Sequence, residues 1–274
     1  MSDEKSSTTV DVINAVAGVA EAVPIYPDMV QPAAQELGKG LLTVAKTVNL
    51  ALSPLAGVVW GFEKIKEKFF PKVEERLRNV PIENIITPQI SVAGPIVEAL
   101  RYAGSEEALS DLYANLLAAS MDKTTAMKAH PAFAEIIKQL TPDEAKLIAL
   151  FPREPYMPII DIKDMINGDD GYPISYTRPL SNYSRLGEMA KCEHLDLVPA
   201  YLNNLIRLGL AEIPDGKFYT AEGVYDELEK SDIAQAYKKS IDNTPNHQCE
   251  FGRKFFQTTA LGKQFANVCV VAKS

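Results

Sequence analysis

Cysteine is scarce: Cys192, Cys249 and Cys269 are the only three in 274 residues. They are too few and too scattered for a disulfide framework, so a reducing compartment is the expectation. A basic excess is also missing. The formal net charge is −8, whereas wholesale nucleic-acid binding needs a concentrated basic surface. The N-terminus, Met1-Ser2-Asp3-Glu4-Lys5, lacks the basic stretch and following apolar run of a secretory signal. No Gly-rich phosphate loop, metalloprotease motif or serine-nucleophile elbow occurs. A cytoplasmic protein without an evident cofactor, metal or catalytic constellation is the plain expectation, and nothing in the residues asks for an enzyme.

What is present is helix. The apolar fraction of 46% and charged fraction of 23% are those of a folded chain rather than a disordered one. Between Gly104 and Phe151, Leu109, Leu112, Tyr113, Leu116, Leu117 and Met121 recur at the spacing of one buried helix face. Ser105 stands where the N-cap belongs, with Glu106 and Glu107 in the first turn. His130-Pro131 restarts the chain into a helix buried through Phe133, Ile136, Ile137 and Leu140. Thr141-Pro142-Asp143-Glu144 then reads as a capping box with proline at the first helical position. Upstream, Val30, Ala34, Leu37, Leu41, Val44, Val48, Ala51 and Leu55 alternate steps of four and three, the seam of a helical hairpin or of a subunit interface. From Thr47 to Phe62 there is no charge. This stretch falls just short of the roughly 20 apolar residues that span a bilayer; burial in the core is the first expectation and membrane contact the second. Glu63 to Arg78 follows as a charged helix with Ile65, Phe69, Phe70, Val73 and Leu77 inward. Lys64, Lys66, Lys68 and Lys72 would flank a membrane in the second reading. Pro81, Pro88 and Pro95 punctuate an extended connector, Val80 to Gly94. A helix from Pro95 to Ala103 should end at Gly104 as a C′ residue.

Composition shifts after Phe151. Prolines and glycines crowd residues 152–180, which read as an irregular linker with one short strand at Ile159–Ile162. Beyond it come helices at Ser184–Glu193 and Asp196–Leu208, the apolar Leu210–Ile213, a β-like run Glu250–Thr258 and a closing helix Thr259–Val271. Two helices, a strand and a returning strand follow the order of a winged helix, with an insertion at about 214–248. A winged helix raises the question of DNA. The candidate recognition helix, Asp196 to Leu208, carries one basic residue, Arg207, far from the N-terminal end that usually reads bases. Residues 181–274 hold 11 lysines and arginines against 12 aspartates and glutamates, so packing or protein interaction fits better. Cys192-Glu-His194 and His247-Gln-Cys249 could supply four zinc ligands, but the spacing within each pair is not the usual one. His130 and Asp122 could form a general-base pair, yet no nucleophile accompanies them and a capping role for His130 fits better.

Several stretches carry a family resemblance. They are Tyr26-Pro-Asp-Met-Val-Gln-Pro-Ala-Ala-Gln-Glu-Leu-Gly-Lys, Leu52-Ser-Pro-Leu with Val59-Trp-Gly-Phe, Leu112-Tyr-Ala-Asn-Leu-Leu-Ala-Ala-Ser-Met-Asp, His130-Pro-Ala-Phe and Ile137-Lys-Gln-Leu-Thr-Pro-Asp-Glu-Ala. Together with Asn204-Leu-Ile-Arg-Leu-Gly-Leu and Thr259-Ala-Leu-Gly-Lys-Gln-Phe, they resemble the bacterial Abi-alpha (abortive infection alpha) family, in order from about residue 26 to 270. The resemblance implies phage defence and supplies no catalytic residues. Its motif positions Trp60, Tyr113, Asn115, Asp122, His130, Pro131, Arg207 and Gly209 are candidate motif or interface residues. The expected architecture is mainly α. It has an N-terminal segment (1–25), a helical domain (26–151), the linker (152–180) and a smaller α+β winged-helix-like domain with an inserted helix (181–274). The expected action is through protein contacts, with a partner or a second copy on the heptad helix 28–55. A membrane-acting effector inserting 41–62 on activation and a DNA-binding regulator are the alternatives.

Overall fold

A computed structural model describes residues 62–271 other than Pro155, together with Lys46, Thr47 and Asn49. These belong to one compact unit, Thr43–Ser274. The heptad helix 28–55, the charge-poor stretch 41–62 and Trp60 thus lie almost wholly outside the described residues. Among the described residues, no helix is long and apolar enough to cross a membrane.

Helix α1, Phe62–Leu77, buries Phe69, Phe70, Val73 and Leu77 along one stripe, as its spacing predicts. Helix α2 runs Ile90–Ala103. It begins five residues before the expected Pro95, which sits inside it, so the extended connector is shorter than the prolines suggest. Gly104 follows with φ −68° and does not use the left-handed freedom expected of it. Helix α3, Glu107–Met121, is the centre: every residue from Leu109 to Met121 except Asp111 is buried. A helix apolar on all sides must be surrounded, and α1, α2, the short α4 (Ala132–Lys138) and α5 (Pro142–Ile148) all pack on it. Ala114, Ala118 and Ala119 keep its girth small enough for that. Its N-cap is Glu106 rather than Ser105, with no side-chain cap bond. The α5 start matches expectation: Glu144 donates its N–H to Thr141 Oγ1 at 3.2 Å, and Glu144 Oε2 accepts the Thr141 N–H at 2.6 Å.

Residues 152–180 are not an irregular linker. They form most of a long antiparallel hairpin, β1 (Tyr156–Asn167) and β2 (Pro173–Tyr183). The prolines occupy positions a sheet tolerates: near the start of β1, at the first residue of β2 and on the sheet edge. Helices α6 (Leu186–Ala190) and α7 (Val198–Arg207) lead into the two-residue β3 (Ala211–Glu212). The inserted segment forms α8 (Asp226–Glu229) and α9 (Asp232–Asp242), before β4 (His247–Thr258) and α10 (Ala260–Cys269). The sheet order is β2-β1-β4-β3, antiparallel throughout. The described chain is therefore helix-rich with one four-stranded sheet.

One side of the sheet rests on the insertion, Ile160 against Tyr225 and Leu228, and Ile162 against Ala234 and Ile241. Met157, Ile159 and Phe256 join the helical core instead. That core is continuous from Phe69 to Cys269. Phe133 of α4 meets Phe265 of α10 edge to face at 5.3 Å, so residues on both sides of 152–180 share one interior.

Two glycines fix how α10 returns. Gly209 leaves α7 with φ +73°, a left-handed turn that glycine takes without penalty, and its carbonyl accepts the Thr259 hydroxyl at 2.6 Å. Thr259 caps α10 by accepting the Gly262 N–H at 3.0 Å. A Cβ on Gly262 would lie 1.9 Å from the Leu210 carbonyl oxygen. The obstacle is backbone, which cannot swing away. Gly262→Ala is therefore expected to lower unfolding stability by at least about 2 kcal/mol, measured as a shift in the urea midpoint.

Candidate functional site

The α1 surface facing α3 carries a polar network. Lys72 Nζ and Arg76 Nη2 donate to Asp111 Oδ1 at 2.9 and 3.0 Å, and Arg76 Nη1 donates to the Lys72 carbonyl at 2.8 Å. The Arg76 Nε–H is held by Asn115 Oδ1. The amide nitrogen of Asn115 reaches the end of α10, donating to the Cys269 carbonyl at 2.7 Å. One buried amide thus joins three helices, and beside it opens a cavity of about 190 Å³ that includes Arg76, Lys128 and Asn267 in its lining.

A second cluster fastens α5 to α6 and α7. Asp143, 4% exposed, accepts the backbone N–H groups of Glu193 and His194 at 3.0 Å and the Lys146 ammonium at 2.9 Å. Burial alone would raise its pKa; the Lys146 and backbone hydrogen bonds outweigh that, and the carboxyl is held below its ordinary value. Glu144 Oε1 accepts Asn204 Nδ2 at 2.8 Å. Arg207 Nη2 bonds Asn204 Oδ1 and Gln139 Oε1 at 2.7 and 3.1 Å. Burial pushes the neighbouring Cys192 thiol up to about 11, and the charge of Asp143 adds to that.

A third cluster lies on the sheet. Asp161, 3% exposed, accepts Lys254 Nζ at 2.6 Å and the Asn182 N–H at 2.9 Å. Asn182 adopts φ +56°, accepts Lys254 Nζ at 2.7 Å and donates to Asn203 at 3.1 Å. Further along the hairpin Lys163 pairs with Glu250 at 2.8 Å, and Arg178 and Lys163 lie over the Tyr176 ring at 5.4 and 5.9 Å. Edge strand β2 is exposed from Pro173 to Pro179. Tyr172 and Ile174 are each 71% exposed.

The candidate residues fall into different places. Tyr113 and Asn115 belong to the buried face of α3, and Asp122 closes it by accepting the Thr124 N–H and hydroxyl at 2.8 and 2.7 Å. His130 and Pro131 open α4, where His130 Nδ1 accepts the Ala132 N–H at 3.1 Å. Arg207 and Gly209 end α7. Asn115 alone touches the cavity; the others define turns, caps and packing. The Cys-x-His and His-x-Cys pairs are used separately. Cys192 faces Asp143, while His247 Nδ1 lies 2.7 Å from Asp164 Oδ1 and the Cys249 N–H reaches Asp242. Among the described residues, no group of three or more histidines, cysteines and carboxylates could hold a metal ion. Arg76, Lys128, Asp161 and Lys254 carried no motif that marked them.

A mainly helical chain built around a buried α3 and closed by an antiparallel sheet is the class to which these features lead. The model of the abortive infection alpha family matches residues 61–269, and the chain belongs to that family. No curated protein matches it. Among solved structures it is similar to an uncharacterized protein from the hydrocarbon-degrading marine bacterium Alcanivorax borkumensis SK2. The identity is 18% over 54% of this chain and 96% of that one, with a TM-score of 0.33.

Two measurements follow from the buried polar groups. The Tyr113 hydroxyl is buried without a hydrogen-bond partner among the described residues, so Tyr113→Phe removes an unmatched polar group and should raise stability by about 1 kcal/mol; a comparably large loss would show that the hydroxyl is bonded. Asp143 has a folded pKa below its unfolded one. Its contribution is therefore fully present above the ordinary aspartate value of about 3.9 and fades as pH falls through the folded value. Denaturant melts from neutral to acidic pH should show a weaker acid dependence for Asp143→Asn than for the natural chain.

Proposed function

We propose that this chain is a phage-defence protein of the abortive-infection type that acts by binding another protein through the free edge of β2. Family membership supports the biological setting. The edge supports the mode of action: Tyr172, Ile174 and Tyr176 are exposed on or beside a strand that has, among the described residues, no neighbour on its outer side. Exposed apolar strand edges pair with extended segments of partners. Arg178 is the one charge between Tyr172 and Tyr183, so little on the strand repels a partner. The buried carboxylates Asp143, Glu144 and Asp161 are each taken up by internal hydrogen bonds, which fits structural fastening better than chemistry. The polar residues of α7 point the same way. In our reading α6, α7, β3 and β4 are a winged-helix-like packing module, because Asn203, Asn204 and Arg207 bond within the protein rather than standing free for base edges. The heptad helix 28–55 is a second contact element in this reading, for a partner or another copy.

The test is plaque formation on a host expressing the chain, with Tyr172→Lys and Ile174→Lys alongside. The natural chain should reduce plaque counts, and the variants should restore them to the empty-vector level with unchanged melting temperatures. Protection by the variants would remove the strand edge from the mechanism; plaque counts unaffected by the natural chain across a phage panel would remove the defence role.

A further inference from the structure

Among the described residues, the cavity between the C-terminal halves of α3 and α10 is lined by two cations, Arg76 and Lys128, and by no aspartate or glutamate; Asp111, which pairs with Arg76 at 3.0 Å, lies outside that lining. Ala118, Ala119 and Val268 make its buried apolar wall, while Lys128 and Asn267 are exposed at its rim. Arg76 is fixed in advance. Of the five N–H groups of a guanidinium, three are engaged among the described residues, by Asn115, the Lys72 carbonyl and Asp111. One hydrogen on each terminal nitrogen is left. The end of α10 is nearby, and its carbonyl oxygens would oppose an anion, but the Cys269 and Val270 carbonyls already face the Asn115 amide nitrogen, at 2.7 and 3.5 Å.

Size narrows the occupant. Water takes about 30 Å³ per molecule in the liquid, so about 190 Å³ holds a handful of waters or one small ion. Pockets for drug-sized ligands begin near 300 Å³. Charge narrows it further: an arginine held in place and a flexible lysine suit a doubly charged phosphate better than a singly charged carboxylate. We propose that this cavity binds phosphate, either free or as the phosphate group of a small ester, between Arg76 and Lys128. The proposal goes beyond the defence reading and needs no partner, so it is tested on the purified chain.

The experiment is calorimetric titration of the full chain at low ionic strength, where exposed charges are least screened. Inorganic phosphate, glycerol 3-phosphate and acetate are the three probes. One saturable site for phosphate or its ester, with acetate clearly weaker, is expected; the tighter of the first two identifies the source. Lys128→Ala should weaken that binding about tenfold, the loss of one charge-assisted hydrogen bond, while circular dichroism and melting temperature stay unchanged. Lys217→Ala, which removes an equal charge outside the cavity, should leave it unaltered. The absence of a saturable site, acetate binding as tight as phosphate, or equal effects of the two lysine variants would each overturn the proposal. Because the readout is binding rather than plaque counts, failure here leaves the strand-edge reading to stand or fall on its own test.

Discussion

The structure depends on the burial of α3 from all sides. A helix with only Asp111 at the surface between Leu109 and Met121 cannot be stable alone, and each neighbour that covers it loses apolar surface to water in return. At roughly 25 cal/mol per Å² of apolar surface removed, fully burying side chains such as Tyr113, Leu116 and Leu117 is the largest favourable contribution the region has. The constraint also decides where polarity is allowed. Ser120 returns its hydroxyl to the Leu117 carbonyl at 2.7 Å. Asn115 remains because α1 and α10 both present partners to it.

Around that centre, buried carboxylates and amides act as fasteners between segments distant in sequence. Asp143 bonds backbone some 50 residues away, Glu144 a side chain 60 away, and Asp161 the Asn182 backbone and the Lys254 ammonium. Burying an ionised group is costly, and its attraction to a partner often only offsets that cost. What such pairs add is uniqueness. Removing one partner leaves a charge stranded, typically at 3–5 kcal/mol, so alternative packings of α5 on α7, or of β2 and β4 on β1, are strongly disfavoured.

Legibility in the sequence followed the range of the interactions. Local ones were readable: the apolar stripe of α1, the capping box at Thr141, the restart at His130-Pro131 and the closing helix after Thr259. The hairpin was not, because Pro158, Pro173 and Pro179 read as breakers until the sheet edge that accommodates them is known. Ser105 and Gly104 are good end signals by type, yet the chain turns differently between α2 and α3 because packing on α3 sets the angle. The cavity was least readable. Arg76, Lys128 and Asn267 come from three separate stretches, and only the return of α10 brings them together.

The bond between Asn115 and the Cys269 carbonyl spans 154 residues, which places a clock on folding. At synthesis rates of roughly 5–20 residues per second, α3 leaves the ribosome about eight to thirty seconds before α10 can cover it. During that interval the most extensively buried helix of the core lacks one of its walls, and the Asn115 amide lacks its acceptor. The core of the described residues therefore closes only once α10 has been made, rather than helix by helix.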